Sequence, residues 1–401
     1  MKSNEDAFVF ESYSILSDRK EIHFNYKYKE LKFTEKIFLS EQISSSVNSV
    51  LLNKVLESLH LILGISYFKM YCPKKIIIPY RLSKAQADFW NTIYTKGLGE
   101  FFYKNKINFR NLINFPYVDK PNIQLRQLDE AKKNRSLVGI GGGKDSIVAI
   151  ELLKKEKKLF DGLILETGLS MIQQNVAKIS EVNFFIVKKQ LDEKLFQISK
   201  NVYNGHVPFS AIFAFIALLV SVIYDYSSII TANEKSSSFG NVVYLGEEIN
   251  HQWSKSEEFE GLFKNYVREF ITPSIDYYSV LRKYSEMDIA RMFIQHKKYF
   301  TVFSSCNKNF RIKEKTNKRW CGECPKCAFV FIILAAHLQK AEVIEIFRKN
   351  LLDDVDLIPL YKDLTGKGTM KPFECVGTFE ESQQALKMIK DKGEFDVSKI
   401  L

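Results

Sequence analysis

Two groups of residues in this chain have types and spacings that could do chemistry. The first is Gly141-Gly142-Gly143-Lys144-Asp145-Ser146, which follows the apolar run Ser136–Ile140 and precedes the apolar stretch Ile147–Leu153. A strand, a glycine turn and a helix start in that order make an anion site. Glycines let the backbone approach closely, and the first N–H groups and the helix dipole favour negative charge. A bare turn needs neither the aspartate nor the serine. The second group is Cys321, Cys324 and Cys327 at C-x2-C-x2-C spacing, with Cys306 upstream at the end of Val302-Phe303-Ser304-Ser305, which reads as a strand end. Four thiolates at ~2.3 Å satisfy a tetrahedral zinc with no open position. Iron–sulfur clusters use the same ligands and remain the competing reading. A closed site of this kind does no chemistry itself; it would tie the C-terminal segment to the sheet.

The phosphate loop is not a Walker A loop, which needs lysine next to the hydroxyl residue. Here Asp145 separates Lys144 from Ser146. Nor is it a dinucleotide fingerprint, since Gly139-x-Gly141 is followed by Lys144 where a third glycine is required. It resembles the PP-loop, S-G-G-x-D-S, of the ATP pyrophosphatases, with Gly141 in place of the usual serine. That resemblance implies attack at the α-phosphorus of ATP and release of pyrophosphate. Together with the late cysteine cluster it resembles 7-cyano-7-deazaguanine synthase, which activates a carboxylate with ATP. Two further stretches depart from that enzyme. One runs Ala232–Asn241 and on through Gly246-Glu247-Glu248-Ile249-Asn250-His251-Gln252-Trp253-Ser254-Lys255-Ser256, and the other is Lys371–Glu381. With Gly139–Lys154 and Trp320–Leu338, they resemble the MurL family of ATP-dependent epimerases of UDP-N-acetylmuramoyl-L-alanyl-L-glutamate. The resemblance covers about residues 130 to 390, with a similar N-terminal module.

The chemistry implied is coherent. The glutamate nitrogen of that substrate is already acylated, so it cannot form a Schiff base. Removing the Cα proton beside a free carboxylate would build a dianion. An acyl adenylate removes that charge and makes the Cα–H acidic enough for a side-chain base. Reprotonation on the other face and hydrolysis would yield D-glutamate, AMP and pyrophosphate. The resemblance then implies roles. Gly141, Gly142, Gly143, Lys144 and Ser146 would hold phosphates, and Asp145 would ligate Mg²⁺. Glu166 or its neighbours would read the adenosine end. Asn233 and Glu234 would position Mg²⁺ or substrate, with Asn250, Gln252, Ser254 and Ser256 also on the substrate side. His251 and Lys255 are candidates for moving the Cα proton, and Cys375 for a second acid or base. His206, beside Pro208, would line the site without any pattern to support it, whereas His296 and His337 fall in helical stretches and read as structural.

Elements must bring these residues together. From about residue 135 strands and helices alternate: Leu137–Ile140, Gly162–Glu166, Asn183–Val187 and Ser228–Ala232 read as strands. This predicts a PP-loop ATP pyrophosphatase-like α/β fold, a parallel sheet covered on both faces, with ligands at the C-terminal strand ends. The Gly141 loop, Glu166-Thr167-Gly168 and Asn233-Glu234 then share one rim. Residues 1–130 read as an α+β module whose role the motifs leave open, and 131–401 as the catalytic region. In the module, Glu21–Tyr28 alternates like a strand, Phe33–Leu39 suits a hairpin partner, and Val47–Leu63 has helical spacing. Ser285–Asp288 and Thr378–Glu381 have the pattern of helix capping boxes.

Composition limits the alternatives. The chain has 401 residues, 46% hydrophobic and 26% charged, as in an ordinary globular protein. The formal charge of +11 suits anionic ligands, but lysines are spread along the whole chain. A tRNA-modifying PP-loop enzyme is therefore an alternative, as is a carboxylate-activating enzyme of the deazaguanine type. No RNA-binding module or arginine-rich patch supports nucleic-acid binding. The polar start, Met1–Asp6, lacks a secretory h-region. The apolar run Phe209–Tyr224 is shorter than the ~20 residues that span a bilayer and reads as a buried helix. Clustered cysteines point to metal, and so to the cytoplasm.

Overall fold

The structure, a computed structural model, describes residues 6–119, 133–166, 171–198, 200–310 and 318–397. Its centre is a nine-stranded mixed sheet. In chain order the strands are β1 (Ala7–Ile15), β2 (Glu21–Tyr28), β3 (Leu31–Leu39), β4 (Lys75–Ile77), β5 (Lys133–Gly139), β6 (Phe160–Glu166), β7 (Phe184–Gln190) and β8 (Tyr226–Thr231). A small hairpin, β9 (Val242–Tyr244) and β10 (Glu247–Ile249), stands apart, and β11 (Asp276–Ser279) completes the sheet. The spatial order is β11-β8-β5-β6-β7-β3-β2-β1-β4.

The strands expected from β5 to β8 form, and with β11 they are mutually parallel. Their apolar residues alternate between two cores. Leu137, Leu163 and Ile229 face one side, and Val138, Ile164 and Ile230 the other. A strand buried on both faces has no polar side to show, hence the nearly continuous apolar runs. The first face is covered by the helices Ser49–Leu63 and Phe209–Tyr224, which pack on one another. The second face carries Lys144–Lys155, Glu286–Phe293, Pro325–Ala335 and Phe379–Lys392.

The module expected over 1–130 and the region from 131 share this sheet. β3 pairs antiparallel with β7, from Lys36 opposite Gln190 to Leu39 opposite Val187. The hairpin of β2 and β3 is in register from Glu21 opposite Phe38 to Tyr28 opposite Leu31. The helical run Ser49–Phe68 is apolar and long enough to cross a bilayer, but most of it is buried against the core.

Both capping boxes are present. The Ser285 hydroxyl accepts from the Asp288 N–H at 3.1 Å, and Thr378 from Glu381 at 3.2 Å. The segment Val302–Ser305 is not a strand end. Its Ser304 N–H donates to the Gly142 carbonyl at 3.0 Å, so it serves the glycine loop instead of a sheet ladder. Thr167 and Gly168 lie outside the described residues.

Candidate active site

The Gly141 loop leaves the C-terminal end of β5, between the ends of β6 and β8. Gly142 has φ +82°, and a Cβ there would lie 2.9 Å from Ile172. A Cβ on Gly143 would meet the Ser305 hydroxyl at 2.5 Å. Gly141 faces open space, so the missing serine leaves room rather than a clash. Ser146 donates its hydroxyl to the Gly143 carbonyl at 2.9 Å, which stiffens the turn into the helix.

Lys144 is fully buried and ion-paired with Asp145 and Glu286. Burial pushes Asp145 up, but Lys144 and Lys326 outweigh it and hold the carboxyl low. Glu286 is pushed up to about 7 by burial, against the pull of Lys144. Lys326, between two of the clustered cysteines, lies 3.9 Å from Glu286, and its ammonium donates to the Cys375 carbonyl. Glu234 is buried, with one carboxylate oxygen that lacks a partner among the described residues. Buried charges of both signs thus gather beside the loop: Lys144, Lys255 and Lys326 against Asp145, Glu234 and Glu286.

His251, Lys255 and Cys375 come together beside these charges. The Lys255 ammonium donates to the Cys375 sulfur at 3.5 Å, and His251 hydrogen-bonds the same thiol. Burial raises Cys375, but Lys255 and His251 reverse this and bring it down to about 6. Burial likewise lowers His251, yet its hydrogen bonds to Cys375 and Glu100 carry it up to about 9. The two shifts run in opposite directions and both favour the charged pair, a thiolate beside an imidazolium. Glu100 Oε2 sits 2.5 Å from His251 Nδ1, and His206 packs against His251 with ring centroids 4.7 Å apart.

Side chains of the loops hold the two segments in place. Asn241 accepts from the His251 N–H at 2.9 Å and donates to the Pro372 carbonyl at 2.8 Å. Gln252 donates to the Val376 carbonyl at 3.4 Å and keeps a buried oxygen without a partner among the described residues. Arg282 donates to the Glu234 and Lys255 carbonyls, at 3.1 and 2.8 Å. Asn250 donates to the Ser237 carbonyl, Asn233 to the Thr231 hydroxyl, and Ser256 caps the helix Glu257–Tyr266. Ser254 is buried in the same turn. Glu166 ends β6 on the shared rim.

Cys306, Cys321, Cys324 and Cys327 converge, their sulfur atoms all within 4.8 Å of one another. Cys321 and Cys327 are 3.7 Å apart. Cys324 caps the helix Pro325–Ala335 by accepting from the Cys327 N–H at 3.4 Å.

The family profile of the MurL N-terminal domain matches residues 1–280, and that of the MurL C-terminal domain matches 302–401. This chain belongs to the MurL family. Among MurL relatives, proteins named UDP-N-acetyl-alpha-D-muramoyl-L-alanyl-L-glutamate epimerase are similar over most of their length. The one from Micromonospora sp. is 36% identical, over 97% of this chain and 88% of the relative. That from Salinispora tropica is 35% identical, over 96% and 85%. That from Xanthomonas oryzae pv. oryzae is 36% identical, over 87% and 77%. In this member of the MurL family the sheet lies within the first matched region and the converging Cys306, Cys321, Cys324 and Cys327 within the second.

Sequence reasoning missed Glu100, Glu286, Lys326 and Arg282. Lys326 and Glu286 lay in quoted motifs, but as spacers. Nothing near Glu100 signals a site.

Proposed function

We propose that this protein epimerises the terminal glutamate of UDP-N-acetylmuramoyl-L-alanyl-L-glutamate, with ATP consumed to AMP and pyrophosphate. The observation that carries this reading is the Cys375–His251–Lys255 cluster beside a lysine-lined glycine loop, in a chain of the MurL family. The loop's backbone and the helix start behind it would receive phosphates. Space beside Gly141 and the partly exposed Asp145 fit nucleotide and Mg²⁺, which would neutralise the leaving pyrophosphate. Lys144 is held by Asp145 and Glu286 and would act from that pairing. Glu234 and Gln252 each have a buried polar atom to offer a ligand. Asn233, Asn250, Ser254 and Ser256 would shape the substrate side through the loops they brace, and Glu166 would face the nucleoside.

The Cys375 thiolate would take the Cα proton of the activated glutamate and become a thiol. Lys255, whose ammonium touches that sulfur at 3.5 Å, lies on the same side of the carbon and would hold the thiolate's charge. The captured proton would pass to solvent, and a solvent proton would add on the other face. His251 would stay charged and hold the sulfur's position. We assign a structural zinc to the four cysteines. A tetrahedron of thiolates ~2.3 Å from one ion has edges near ~3.8 Å, which the observed 3.7 Å separation fits. A multi-iron cluster would spread the sulfurs wider.

The test is a reaction in D₂O with ATP, Mg²⁺ and the UDP-linked dipeptide. AMP together with Cα-deuterated D-glutamate is expected. AMP without deuterium would favour a simple carboxylate-activating enzyme, and neither product from zinc-loaded protein would refute the substrate assignment.

A further inference from the structure

We propose that Glu100, on the short helix Gly99–Lys104, is a positioning residue that keeps Cys375 ionised by holding His251 as an imidazolium. This deepens the assignment of Cys375 to proton transfer, but its test needs no substrate.

Glu100 is 5% exposed. Its Oε2 takes the Nδ1–H of His251 at 2.5 Å and lies 3.3 Å from His206 Nδ1. Its Oε1 accepts from Lys104 at 2.5 Å. With Nδ1 committed to Glu100, the other edge of the His251 ring is left for Cys375. Asn241 fixes the backbone under the ring. Two imidazoles this close cannot both be charged in a buried site. Burial and the charge on His251 push His206 down to about 3, so His206 stays neutral and only braces the pair. Burial raises Glu100, but His251, His206 and Lys104 more than offset it, and it remains an anion. The chain of charges therefore runs carboxylate, imidazolium, thiolate, with the Lys255 ammonium on the far side of the sulfur.

Other charged groups around the cluster do not replace Glu100. Lys69 and Lys104 face His206 and disfavour its protonation. Glu374 lies within range of His251, but burial raises its own carboxyl. Lys326 stabilises the thiolate from the zinc-site helix, with Asp145 and Glu234 around Lys255. Among these, Glu100 is the carboxylate in direct contact with the ring.

The experiment is alkylation of Cys375 by iodoacetamide across pH, read by peptide mass spectrometry. Cys375 is partly exposed, so reagent reaches it. In the wild type the rate should have a midpoint of about 6. Glu100→Gln keeps the shape without the charge. It should move the midpoint up by ~1 unit or more, slowing alkylation below the midpoint by ~10-fold. Glu100→Asp should restore part of the shift. An unmoved midpoint in folded Glu100→Gln protein overturns the proposal. Should that variant not fold, nitrogen-15 NMR of the wild type decides. Both His251 nitrogens protonated at neutral pH, with a strongly downfield Nδ1 proton, supports it, and a neutral His251 overturns it. A normal midpoint shift with no epimerisation would fault the substrate assignment alone.

Discussion

Cys375 illustrates how neighbouring cations can outweigh burial and favour the ionised form of a weak acid. Its thiol falls to about 6 because burial is outweighed by Lys255 and His251. His251 rises to about 9 because burial is outweighed by Cys375 and Glu100. The working ion pair therefore exists between these values, which belong to the coupled pair. Cα exchange should follow a bell-shaped pH profile, falling below about 6 as the thiolate gains a proton and above about 9 as the imidazolium loses one. The stability that the pair contributes is lost at the same two limbs. Cys375→Ser should cut deuterium incorporation by ~100-fold or more while ATP-dependent AMP release persists. Exchange at the wild-type rate would remove Cys375 from the proton path. The sequence made Cys375, His251 and Lys255 candidates but gave no contact among them. Glu100 was invisible because it meets His251 across 151 positions and its surroundings carry no motif.

At the scale of elements, the glycine loop, the parallel strands and the cysteine segment interlock. Ser304 holds Gly142, and the cysteine that follows it joins the sulfur cluster. Strand-to-helix alternation was readable because both faces of β5, β6 and β8 are buried in apolar runs. Val302–Ser305 was misread because an apolar tetrapeptide does not reveal that its N–H serves a loop. Gly142 and Gly141 separate in their expected tolerance. Gly142→Ala forces a side chain into a positive-φ position against Ile172, and should cost about 1–2 kcal/mol and weaken ATP binding. Gly141→Ser, entering open space, should leave the melting temperature unchanged. Thermal unfolding and ATP titration of both variants check this, and equal losses would show that the loop's geometry is misassigned.

Across the whole molecule, the pattern of one sheet with two cores explains why the site draws on distant parts of the chain. Glu100 comes from the part before residue 130, the glycine loop and His251 from the middle, and Cys375 from beyond the cysteine cluster. Sequence periodicity identified the hairpin of β2 and β3, but could not show that β3 pairs with β7. That pairing is a tertiary choice, fixed by side chains from both parts that share one core.

The pairing of β3 with β7 has a practical consequence for anyone dissecting this protein. A fragment of residues 131–401 would leave β7 with unpaired N–H and C=O groups along its side, beside the uncovered apolar surface of the helix Phe209–Tyr224. Raw edges of that kind recruit other chains. Such a fragment should emerge from gel filtration as aggregates, whatever catalytic residues it retains, and a monodisperse fragment would show that the two parts are separable after all.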